Sequence, residues 1–137
     1  MQIKYTFVLI GVQMSDKLNE MFRLRNEFMC AIQERYPSSY PDWPVDVTKK
    51  RSQKALRETA LKGVEEMFEA LQHLKNWKTH KRKGDSTFDR DEFLEEMVDA
   101  FNYFFAMLVM LGVTPEEFFE AFEAKNEKIH KRLSGNY

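Results

Sequence analysis

The stretch from Asp89 to Gly112 constrains this chain more than any other, because it sets acids on the same helical side as core residues. At about 100° per residue, Glu96, Asp99 and Tyr103 share a face that runs on into Ala106, Met107 and Met110. A solvated acidic stripe does not continue into a core. The carboxylates of such a helix must therefore be held against another element. Asp89 followed by Glu92 reads as a capping box opening this helix through Leu111, and Gly112 is suited to close it.

The partner is legible upstream. Thr48 can cap a helix to about Lys78 whose apolar face carries Leu56, Ala60, Leu61, Val64, Met67, Phe68, Leu71 and Leu74. Within it stand Glu66 and Glu69, three apart and so one turn apart on one side, a face they share with His73 and Trp77. If the two helices pack antiparallel, Glu66, Glu69, Glu96 and Asp99 face one another. Four carboxylates in a poorly hydrated groove repel and resist ionisation unless a cation joins them. Hard oxygen donors without thiols favour Mg²⁺, with Mn²⁺ able to substitute. Glu65 and Glu95 fall away from the two pairs and read as surface or supporting groups.

Two further helices complete the pattern. Ser15 can cap one through about Arg35, with Leu18, Met21, Phe22, Phe28, Met29 and Ile32 at helical spacing. Thr114-Pro115-Glu116-Glu117 opens another to about Leu133, with cap, first-turn proline and third-position acid in order. Pro37, Pro41 and Pro44 mark Tyr36 to Val47 as a loop, and the basic segment from Lys78 to Phe88 is a second. The reading is all-α: a four-helix bundle forming one domain over residues 15–137, preceded by residues 1–14 as an arm or leader.

Charge narrows the partners. Twenty-one Lys and Arg against 22 Asp and Glu leave a net charge of −1, with no bulk field to recruit a nucleic acid polymer or an anionic membrane. The apolar Tyr5 to Val12 run is too short to span a bilayer. Cys30 is the single cysteine, which excludes an intrachain disulfide and suits a cytoplasmic setting, where it reads as a small buried hydrophobe. Twelve Phe and eight Met are a large apolar load for 137 residues, and self-association to a dimer or tetramer is the expected outlet.

The ordered set Glu-x-x-Glu, spacer, Glu-x-x-Asp resembles the signature of the all-α nucleoside triphosphate pyrophosphohydrolases, which include MazG-like proteins and the dimeric dUTPases. Phe93 to Tyr137 is particularly similar to the C-terminal part of phage dCTP/dUTP pyrophosphatases, in Glu96-x-x-Asp99, Leu111-Gly112, Lys125-Asn126, Arg132 and the terminal Tyr137. It departs from them at Ile129 and Leu133. The resemblance implies that Glu66, Glu69, Glu96 and Asp99 bind the metals for cleavage of a deoxynucleoside triphosphate to monophosphate and pyrophosphate. dUTP or dCTP is the substrate it suggests, with dGTP or a broad range as the alternative. It further implies Asn102 near the sugar or base, Lys125, Asn126, Lys128 and Arg132 toward the phosphates, and Trp77 stacked on the base or walling the pocket.

Two other classes compete. A di-iron carboxylate bundle needs two Glu-x-x-His pairs, and only Glu127-Lys128-Ile129-His130 fits. A non-catalytic interaction module would use Phe118, Phe119 and Phe122 as a partner surface.

Overall fold

The structure, a computed structural model, describes residues 16–81, 84 and 86–135. The arm or leader at 1–14, the cap at Ser15, the basic residues Arg82 and Lys83, and Tyr137 lie outside the described residues. Four helices follow in order: α1 Lys17–Arg35, α2 Lys50–Gln72, α3 Arg90–Met110 and α4 Pro115–Ser134. No strand occurs among the described residues.

Caps set most of the boundaries. Asp16 caps α1, its Oδ1 accepting the Asn19 N–H at 3.1 Å. Asp89 Oδ1 accepts from both Asp91 and Glu92 N–H at 3.1 Å to open α3. At the far end of α3 Gly112 takes φ +73°, and the Val113 N–H reaches back to the Leu108 carbonyl at 3.0 Å, satisfying one of the open carbonyls. Thr114 Oγ1 accepts the Glu117 N–H at 3.1 Å and starts α4.

Helix α2 departs from expectation at both ends. Thr48 does not cap it, because Asp46 Oδ1 accepts both the Thr48 hydroxyl at 2.7 Å and its N–H at 3.0 Å. The helix ends at Gln72 rather than near Lys78, and residues 74–78 run on without regular structure. Trp77 therefore leaves the helical face assigned to it.

The pairing of α2 with α3 is antiparallel: Gly63 meets Ala100 and Phe104, and His73 meets Glu92. Small residues allow the approach. A Cβ built at Gly63 would lie 2.7 Å from the Phe104 ring and 3.1 Å from the Ala100 carbonyl oxygen, while Ala70 and Ala100 are fully buried.

The core gathers at one end of this pair. Met29, Leu56, Ala106 and Met110 are buried together, with Tyr40, Trp43 and Val45 of the proline-bearing loop packed on them. That loop is tied down by the Val45 N–H donating to the Met110 carbonyl at 2.8 Å and by Trp43 Nε1 donating to Asn26 Oδ1 at 3.0 Å. Helix α4 bends 109° from α3 and packs on α1 alone, through Phe118 near Phe22, and it buries no residue. Cys30, read as a small buried hydrophobe, is exposed, because on α1 it falls one residue past the core position Met29. No single helix among the described residues is long and apolar enough to cross a membrane.

Candidate metal centre

One carboxylate from α2 and two from α3 converge where the small residues let the helices touch. Oxygens of Glu66, Glu96 and Asp99 all lie within 4.8 Å of one another. Glu66 and Glu96 are half-buried, Asp99 is exposed. Partial burial raises the Glu66 carboxyl above the ordinary carboxylate value, and the negative charges of Glu69, Asp99, Glu96 and Glu65 push it the same way. The donors are hard carboxylate oxygens with no thiol among them, a set that suits a divalent cation such as Mg²⁺ or Mn²⁺. The same crowding that lifts the Glu66 proton affinity is what a cation would relieve.

Glu69 stands outside this trio. It is exposed, one turn beyond Glu66, and its charge still reaches that residue. The α2–α3 face expected to carry four acids thus brings three into ligand range and keeps the fourth at its rim.

Beside the trio opens a cavity of about 820 Å³, bounded by Leu24, Arg25, Phe28 and Ile32 of α1, Ser39 and Tyr40 of the loop, Lys62 and Glu66 of α2, and Val98, Asp99, Asn102 and Tyr103 of α3. Asn102 is on this wall, as expected. Tyr103 is half-buried, and its hydroxyl is raised by burial first and by the Glu66 charge second, with Arg25 pulling it back down.

The remaining expected residues do not line the cavity. Trp77 is 71% exposed beyond the end of α2, with the Lys78 ammonium 5.5 Å from its ring centre. Lys125, Asn126, Lys128 and Arg132 ride on α4, which touches neither α2 nor α3. The Asn126 amide donates instead to the Phe122 carbonyl of its own helix at 2.8 Å.

Arg25, Tyr40 and Lys62 are cavity residues that sequence reasoning passed over. For Arg25 the signal was present: position 25 falls between Phe22 and Met29 on the apolar face of α1, where a cation is out of place. For Lys62, a turn before Glu66, and for Tyr40, in a loop, no local pattern marks the role.

No curated protein and no solved structure matches the chain. A family profile does, over residues 25–126, which takes in α1 from Arg25, all of α2 and α3, and the first half of α4. The Glu66, Glu96 and Asp99 cluster and every residue lining the cavity except Leu24 lie inside that match. The chain belongs to the phosphoribosyl-ATP pyrophosphohydrolase family.

Proposed function

We propose that the protein is a magnesium-dependent pyrophosphohydrolase that converts a deoxynucleoside triphosphate and water to the monophosphate and pyrophosphate, acting on dUTP or dCTP. The observation that carries this reading is the convergence of Glu66, Glu96 and Asp99 beside a cavity of nucleotide size, in a chain of a pyrophosphohydrolase family. Those three carboxylates hold the ion, and Glu69 joins from the rim. When bound, Mg²⁺ supplies positive charge to the phosphates and Lewis acidity for activating water. No protein nucleophile is needed. Asn102, a turn after Asp99 on the cavity wall, donates to or accepts from the sugar or base. Lys62 on the same wall is a cation of the same chain available to the phosphates.

The second reading is phosphoribosyl-ATP itself, the substrate in the family's description, which presents the same triphosphate. Incubation with each common dNTP, ATP and phosphoribosyl-ATP, with Mg²⁺ and with EDTA, separates them. Pyrophosphate is expected only with metal and fastest from dUTP or dCTP. Release from none of these removes the hydrolase reading, and release from phosphoribosyl-ATP alone selects the second.

We further infer a homo-oligomer, dimer or tetramer, built from copies of this chain. Leu61, Val64, Phe68 and Leu71 of α2 are exposed, and an apolar groove of about 440 Å³ runs between α1 and α3. Lys125, Asn126, Lys128 and Arg132 belong to the site only if a neighbouring copy brings them. Sedimentation equilibrium is expected to return at least twice the chain mass, and a monomer at all concentrations would overturn the assembly.

A further inference from the structure

Arg25 is 8% exposed, lines the same cavity as Glu66 and Asp99, and enters no ion pair among the described residues. Its guanidinium lies 5.0 Å from the centre of the Phe28 ring and 5.7 Å from that of Tyr103. Of its five N–H donors, one has an acceptor among the described residues, Nη2 donating to Tyr40 Oη at 3.0 Å, and Nε is covered with none. Two rings and a hydroxyl hold the side chain in place, but they do not cancel its charge. Burying a full charge in that way is costly, and what offsets it best is a charge of opposite sign.

The acids of the cavity do not supply that charge. The Tyr103 hydroxyl is near enough to feel Glu66 and Asp99 as well as Arg25, so acids and cation share one space, yet no carboxylate oxygen reaches ion-pair distance of the guanidinium. A metal ion held by Glu66, Glu96 and Asp99 would consume their charge and leave Arg25 less compensated still. Lys62 on the same wall has no such need, because it is exposed and water solvates it. A ligand with several anionic oxygens meets both demands at once, whereas a neutral base cannot balance a charge. We propose that Arg25, steadied by Tyr40, is an anion-binding residue of this cavity that grips phosphate oxygens of the same polyphosphate chain that a metal at Glu66, Glu96 and Asp99 holds. The N–H groups left on its two Nη atoms form the planar fork that suits a phosphate. The contact is indifferent to the base, since dUTP, dCTP and phosphoribosyl-ATP all present such a chain.

This inference rests on the hydrolase reading above, and its test uses a ligand that has no base. Inorganic pyrophosphate with Mg²⁺ is titrated by calorimetry into the wild type, Arg25→Met and Arg25→Lys, and Mn²⁺ alone is titrated into each. Pyrophosphate affinity is expected to fall at least about tenfold in Arg25→Met, while Mn²⁺ affinity is unchanged. Arg25→Lys keeps the charge and loses the fork, so it should fall at least about threefold, and it decides the matter if Arg25→Met fails to fold. A folded variant that binds pyrophosphate as tightly as the wild type overturns the proposal, as does a wild type that binds none. A parallel fall in Mn²⁺ affinity overturns it too, because Arg25 would then support the acids rather than touch the phosphates. Turnover is read separately. Release of pyrophosphate from dUTP or dCTP beside any of those three results leaves the hydrolase reading standing without Arg25. No release from any triphosphate, beside a loss of pyrophosphate binding confined to the variants, removes the hydrolase reading and keeps the anion site.

Discussion

Helices α2 and α4 both carry a row of like charges, and the molecule treats the two rows in opposite ways. On α2, Gly63 lets the Phe104 ring of α3 come so near that a methyl group would collide with it, and the acids beside this contact are forced together. On α4 no residue is buried, and Lys125, Lys128 and Arg132 stand in solvent along a helix supported only by α1. The same helical spacing makes both rows. Only the close seam turns one of them into a site, since like charges in bulk water are screened within about 8 Å and need no partner.

Two substitutions test that contrast at its strongest point. Asp99→Asn removes a charge from the seam, and pyrophosphate release is expected to fall about a thousandfold, equivalent to losing several kcal/mol of metal-borne stabilisation, with the helical circular dichroism intact. Lys125→Ala removes a solvated charge from α4 and should cost less than about fivefold. A loss for Lys125→Ala approaching that of Asp99→Asn would break the contrast, because the α4 row would then be acting at a neighbouring copy's acids.

A finer comparison sets the seam against a cap. Gly63→Ala is expected to cost roughly 1–3 kcal/mol in overpacking against Phe104 and the Ala100 carbonyl, offset by about 1 kcal/mol of gained helix propensity. Thr114→Ala loses the bond to the Glu117 N–H and costs about 1 kcal/mol. Urea titration should thus show similar net losses. Mn²⁺ affinity should not: Gly63→Ala spreads the trio and weakens binding, whereas Thr114→Ala leaves it unchanged. Equal Mn²⁺ affinity in the two variants would mean that the seam does not set the spacing of the acids.

The sequence made these regions unequally legible, for physical reasons. Caps are local, so the starts of α3 and α4 at Asp89 and Thr114 could be read directly, and Gly112 marked the end of α3. The acids of α3 were legible because Glu96, Asp99, Ala106 and Met110 share one face of one helix. Where a residue had a choice of partners, local reading failed. Thr48 gave its hydroxyl to Asp46 instead of to α2, and Leu74 and Trp77 kept the apolar rhythm going beyond the true end at Gln72. Glu69 has the same three-residue spacing from Glu66 that Asp99 has from Glu96, yet it is exposed and outside the trio, so spacing alone did not tell the two pairs apart. Tyr40 reaches Arg25 across a loop of proline-set turns, a contact that no periodicity encodes. Arg25 itself was visible as a cation on an apolar face, but its meaning depended on the rings of Phe28 and Tyr103 around it.

The smallest expected effect is also the most direct measure of crowding in the seam. Burial and neighbouring acids raise the Glu66 carboxyl above its ordinary 4.5, so the folded chain holds this proton more tightly than the unfolded chain does. The stability linked to Glu66 is therefore fully present below pH 4.5 and is lost as pH rises through the folded value, opposite in sign to the usual acid in an ion pair. Melting temperatures of the wild type and of Glu66→Gln, measured in EDTA from about pH 4 to pH 8, isolate this group from the other carboxylates. The wild type should lose ground to the variant as pH rises across the window. With Mn²⁺ added the difference should reverse above the folded value, because the ion takes only the deprotonated carboxylate. A difference that stays flat in EDTA would mean that the α2 acids are as well screened as the α4 cations, and the distinction between a packed row of charges and a solvated one would no longer explain where the site lies.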